Sequence, residues 1–191
     1  MGIIISSFPG CGKRYLINTY GDKARIVDSM QDFIDVGEPT TDEYSYDYNL
    51  FVDVAMKEIG KYDIIFIPSG KEFLDAFNER NIDYDIFYPS KERRGEFIEN
   101  MVRKHANRVG IMELDKGFNQ MVDRIDAIDA PNCYKHKMSE PGHFISNDNA
   151  IMGYLNSLKN TNIKNDAQES KKRVEEPSGS ENDNEGDEEG A

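Results

Sequence analysis

The densest chemistry in this chain lies near its start, in Phe8-Pro9-Gly10-Cys11-Gly12-Lys13-Arg14. Glycines reach positive φ without steric cost, so a Gly-x-Gly turn can aim successive backbone N–H groups at one point. A helix opening at Lys13 adds the positive end of its dipole to that point, which is a site for phosphate. The standard phosphate-binding loop reads G-x-x-x-x-G-K-[ST]: the lysine reaches the outer phosphates and the hydroxyl holds Mg²⁺. Here Gly12-Lys13 keep the end of that pattern, Ser7 replaces its first glycine and Arg14 replaces its hydroxyl. Pro9, Gly10, Cys11, Gly12, Lys13 and Arg14 are therefore the candidate phosphate-binding residues. Cys11 would sit at a helix N-terminus, a position that lowers a thiol pKa.

Such a loop must be held between a strand and a helix. The apolar run Ile3 to Ser7 reads as the strand and Arg14 to Tyr20 as the helix, ended by Gly21. Pro9 fixes its own φ and holds Phe8 extended, so the chain leaves the strand before it turns. A strand over Ala24 to Val27 closes on Asp28-Ser29. From there to Asp53 the chain carries Asp32, Asp35, Glu38, Asp42, Glu43 and Asp47 with no Lys or Arg, and reads as an excursion over the site's edge. Tyr48 to Ile59 has helical spacing. Ile64-Ile65-Phe66-Ile67 is an unbroken apolar run, the signature of a strand buried on both faces of a parallel sheet. A helix over Glu72 to Asn78, a strand over Tyr84 to Tyr88, helices over Lys91 to Arg108 and around Phe118 to Ile128, a strand over Asn132 to Met138 and a helix over Ser146 to Leu158 complete the pattern. Strands alternating with helices mean an α/β fold, a parallel sheet with right-handed crossovers. Ser69 and Lys71 follow a buried strand at the edge where α/β sheets place ligands, which makes them candidate substrate contacts.

The chain has 191 residues, 23 Lys and Arg against 36 Asp and Glu, and a net charge of −13. A negative surface disfavours a broad nucleic-acid face or an anionic membrane. Beyond residue 160 acids outnumber bases, in runs such as Glu185-Gly186-Asp187-Glu188-Glu189. Such a segment cannot bury enough apolar surface to offset its ordering entropy. The division expected is a folded domain over 1–159 and a disordered acidic tail over 160–191, its partner unspecified. Cys11 and Cys133 are the only cysteines, which suits a reducing compartment. No apolar run reaches membrane-spanning length and no signal-peptide pattern opens the chain, so a cytoplasmic protein is expected. His136 and His143 show no metal spacing with Cys133, and His105 reads as a packing residue.

Four strings taken together, Ser7 to Lys13, Val27-Asp28-Ser29, Tyr62 to Ser69 and Ile86-Phe87-Tyr88-Pro89-Ser90, resemble a family of small phage and viral P-loop proteins that is itself similar to nucleoside monophosphate kinases. The resemblance runs in order over most of residues 2 to 150 and leaves out the tail. It implies a P-loop fold with a kinase-like helical lid, ATP and Mg²⁺ as cofactors, a small-molecule phosphate acceptor, and host cytoplasm as the location of a viral protein. Tyr88-Pro89 match the family's strand end before an arginine-rich lid, and Arg93, Arg94 and Arg103 fall in the lid segment, where the resemblance implies a clamp over the γ-phosphate. Asn100 and Val102 stand where further basic residues are expected. The family's acid on the third strand is missing, Pro68-Ser69 standing there, so Asp28 is the acid left to hold the metal through water or to take the acceptor's proton. Arg14 cannot coordinate Mg²⁺, and the acidic excursion offers no cation to an acceptor phosphate. Two functions stay open: an ATP-dependent phosphotransferase acting through Lys13, Asp28 and the lid arginines, or a nucleotide-binding module without turnover whose acidic tail meets a partner.

Overall fold

The computed structural model describes residues 2–21, 24–32, 47–104 and 106–158. Five parallel strands make one sheet in the order β2-β3-β1-β4-β5, with β1 Ile3–Ser7, β2 Ile26–Asp28, β3 Ile64–Ile67, β4 Tyr84–Pro89 and β5 Cys133–Met138. The helices are α1 Lys13–Tyr20, α2 Ser29–Asp32, α3 Tyr48–Glu58, α4 Lys71–Glu79, α5 Arg94–Arg103, α6 Arg108–Asp126 and α7 over 149–158. The expected α/β class and its parallel sheet flanked by helices are present. The 160–191 tail, most of the acidic excursion and His105 lie outside the described residues.

Burial explains the order. β3 has all four residues buried and lies between β1 and β2, whereas β5, reading Cys-Tyr-Lys-His-Lys-Met, holds an edge with only Met138 buried. The connection leaving β1 runs toward β2, and those leaving β2, β3 and β4 run the other way. Right-handed crossovers then place α1 on one face and α3, α4 and α6 on the other. Contacts agree: the Tyr20 hydroxyl reaches Met152 Sδ on α7, while Phe51 of α3 packs edge-on against Phe77 of α4. The winding reverses at β1, and the crevice beyond its carboxyl end is where such sheets take ligands.

Two differences from the expected elements bear on the site. The segment 91–108 is not one helix: a 3-10 turn over Lys91–Arg93 leads into α5, which ends at Arg103, and α6 starts anew from Asn107, whose side chain accepts the Val109 N–H as its cap. α5 and α6 then pack antiparallel, with Arg94 against Asp115 and Lys91 against Asp123. β2 begins at Ile26 because the Ala24 N–H still donates to Tyr20 O and extends the turn after α1.

Candidate functional site

Gly10 and Gly12 hold φ of 87° and 100°, the left-handed region that the Pro-Gly-x-Gly string calls for. The carbonyls here are used inward: Cys11 N–H donates to Phe8 O, Ile145 N–H to Cys11 O, and Tyr15 and Leu16 N–H to Gly12 O. The N–H groups of Gly10, Gly12, Lys13 and Arg14 make no hydrogen bond to any described residue, and no side chain caps α1. They border a cleft of about 780 Å³ at the carboxyl ends of β1 and β3. Backbone donors without a partner among the described residues, placed at the winding reversal, have the chemistry an anion-binding concavity requires.

The rear of the loop is packed. A Cβ on Gly10 would stand 3.2 Å from Phe97 Cδ1 and one on Gly12 would stand 3.6 Å from Phe144 Cβ. Phe8 is buried against Phe97 and Phe118 in edge-on contacts. Cys11 points into this core, its thiol donating to Phe87 O at 3.4 Å. Burial pushes that thiol up from its ordinary value, overriding the charges of Arg93 and Lys104 that pull it down. The expected lowering at a helix N-terminus is therefore corrected: the side chain faces away from the dipole's solvent end and into apolar surroundings.

Lys13 and Asp28 meet across the cleft floor, Nζ to Oδ2 at 2.5 Å, with Asp28 almost fully buried and Lys13 about one-third exposed. Asp28 sits at the end of β2, and its Oδ1 accepts the Met30 N–H at 3.3 Å. Next to it Ser29 is fixed by donating to Phe66 O, so this corner is rigid on both sides of the carboxylate. Arg14 is exposed at the second position of α1 and lines the same cleft, as do Pro9 and Ser69.

The lid cations are placed elsewhere. Arg93 is 4% exposed; its Nε donates to Glu96 at 2.9 Å and its Nη1 to the Met138 and His143 carbonyls. Its guanidinium lies about 5 Å from the ring centres of both Phe97 and Phe144, the rings that back the phosphate loop. Arg94 is paired with Asp115 and Arg103 with Glu99, both in exposed positions. None of the three lines the cleft; the cation that does so from this segment is Lys104, at the end of α5. Lys71 also faces away, pairing with Asp75 one turn along α4 beside a second, smaller pocket.

Mg²⁺ takes oxygen ligands in near-octahedral geometry, commonly one or two carboxylates with substrate phosphates and water. Asp28 is the one carboxylate among the cleft's described lining residues, and both its oxygens already hold a partner. The described residues contain no cluster of three or more His, Cys, Asp and Glu able to hold a metal ion. With arginine at position 14 in place of a hydroxyl, this donor set does not fit a resident Mg²⁺. His143 pairs with Asp148, and His136 stacks on Phe87 while contacting Asp85; neither lines the cleft. Among the described residues no helix is long and apolar enough to cross a membrane. No family model matches the chain, and no curated protein proves significantly similar to it.

Proposed function

We propose that this chain is an ATP-binding protein of the P-loop kind and that it passes the γ-phosphoryl group to a small acceptor, as the nucleotide kinases it resembles do. The observation that carries the reading is the set of N–H groups at Gly10, Gly12, Lys13 and Arg14, without a partner among the described residues and lining a cleft where the sheet's winding reverses. A phosphate chain seated there meets those donors and the α1 dipole together. Lys13, now on Asp28, would swing to the phosphate oxygens, and its departure leaves the Asp28 carboxylate beside the reacting group. Phosphoryl transfer needs positioned charge more than covalent help. The bond from the γ-phosphorus to the bridging oxygen breaks, a bond to the acceptor oxygen forms, and Asp28 takes the acceptor's proton.

A second reading, nucleotide binding without turnover, draws support from Arg93, Arg94 and Arg103. All three are engaged outside the cleft, which leaves Lys104 as the cation from that segment to face a transferred group.

Calorimetric titration of ATP, followed by phosphorus NMR with a panel of nucleoside and deoxynucleoside monophosphates, separates these readings. Binding that weakens about 10–100-fold in Lys13→Ala is expected, the loss of a charged hydrogen bond of about 1.5–3 kcal/mol. ADP formed with one acceptor supports transfer, and binding without product from any acceptor leaves the second reading. A wild-type protein that takes no nucleotide overturns both.

A further inference from the structure

Arg14 occupies the position where a phosphate loop ordinarily offers a metal-binding hydroxyl, and its surroundings explain what it can do there. It is the second residue of α1, exposed to solvent, and it lines the cleft beside the unpaired N–H groups of Gly12 and Lys13. It forms no ion pair with any described residue, unlike Arg93, Arg94 and Arg103. A guanidinium presents a fork of donors matched to two phosphate oxygens and stays charged at any working pH. Beside it, Asp28 has one oxygen on Lys13 and the other on the Met30 N–H. A dication entering here would meet two side-chain cations, Lys13 and Arg14, and a carboxylate whose oxygens already have partners. The charge that Mg²⁺ neutralises elsewhere is matched by Lys13, Arg14, Lys104 and the end of α1.

We propose that the cleft takes a nucleoside triphosphate free of magnesium, with the Arg14 guanidinium on the outer phosphate oxygens in the place a metal ion would hold. This rests on the nucleotide-binding reading and specifies the ionic form of its ligand. Magnesium in solution then competes with the protein for the same oxygens, so it weakens binding.

The test is titration of ATP into the full chain at constant ionic strength, once with EDTA and once with excess Mg²⁺, in wild type and in Arg14→Thr. Arg14 is exposed, so the thermal transition should be unchanged by the substitution, and this is measured alongside. Wild type should bind ATP about tenfold more tightly in EDTA than in Mg²⁺. Arg14→Thr should lose about tenfold in EDTA and turn that dependence round, binding better with Mg²⁺ because the hydroxyl of the standard loop is restored. Wild type that binds ATP better with Mg²⁺ overturns this inference alone. An Arg14→Thr protein whose metal dependence matches wild type also overturns it. Failure of wild type to bind under either condition removes the nucleotide reading together with it.

Discussion

The glycine-loop segment 8–14 and the segment 91–104 carry the cations that line the cleft, and they use their basic residues in opposite ways. In the first, two left-handed glycines leave backbone donors without a partner among the described residues, Arg14 is exposed beside the cleft, and Lys13 sits on the cleft's own carboxylate. In the second, Lys91, Arg93, Arg94 and Arg103 are each paired with an acid, and only Lys104 borders the cleft. Behind the loop lie Phe97 and Phe144, and Arg93 packs against both rings. Its Nη1 grips the Met138 and His143 carbonyls, and two residues past His143 the Ile145 N–H donates to Cys11 O inside the loop. Arg93, expected in a clamp over a ligand, is packed behind the loop between Phe97 and Phe144.

The largest effect that could break this contrast is in Arg93→Met. The thioether chain fills part of the space between Phe97 and Phe144, but the His143 carbonyl loses the Arg93 donor, and the Met138 carbonyl and Glu96 keep only the Ser90 and Gly142 N–H groups. A loss of about 2–3 kcal/mol in urea unfolding is expected. A loss below about 0.5 kcal/mol would mean that Arg93 is not structural and return it to the surface clamp that the sequence suggests.

The loop was legible in sequence because its chemistry is local: Pro9 fixes its own φ, and Gly10 and Gly12 admit the positive φ that the turn takes. β3 was legible for a similar reason, since Ile64-Ile65-Phe66-Ile67 has no polar face to show. The fates of the arginines were not. Arg94 finds Asp115 across a helix pair, and Arg93 is buried by residues some 45 and 50 positions further on, partners that helical spacing cannot disclose. Other signals were present but weaker. Asn107 marks the α6 cap inside an apolar pattern that reads through it, and Lys71 has its partner Asp75 at the helical interval of four. Cys11 shows the limit of position alone: a helix N-terminus favours a thiolate, but the side chain is turned into the core.

Glycine substitutions should sharpen the contrast from the loop's side. Gly12→Ala puts a Cβ at φ 100°, strained by about 1–2 kcal/mol. Gly10→Ala adds a contact of 3.2 Å with Phe97 to a φ of 87°, so it should cost somewhat more. Both should lose ATP affinity by more than Gly95→Ala, where a Cβ would meet open space in α5. Equal affinities across the three variants would show that loop geometry does not govern binding.

A smaller effect lies in pH. The Arg93 N–H donated to Glu96 holds its carboxyl below the usual glutamate value, with burial opposing and the Gly142 N–H adding to the same pull. A carboxyl whose folded pKa is depressed contributes stability above its unfolded value of about 4.5, and that contribution is lost as pH falls through the folded pKa. Glu96→Gln should therefore be less stable than wild type at neutral pH and approach it in acid, as unfolding midpoints between pH 7 and pH 3 would record. A difference between the two proteins that stays constant with pH would sever Glu96 from Arg93 in energetic terms.

The smallest expected effect is also the most direct check on the front of the cleft. Arg94 and Arg103 are exposed and paired with exposed acids, the kind of ion pair that contributes about 0–1 kcal/mol because water solvates both partners well. Arg94→Ala and Arg103→Ala should leave both stability and ATP affinity within twofold of wild type, while Lys104→Ala, at the cleft edge, should lower affinity and leave stability alone. Should Arg94→Ala or Arg103→Ala cost tenfold in ATP affinity instead, the segment must leave its partners and close over the nucleotide. The binding loop and the segment 91–104 would then be two halves of one clamp.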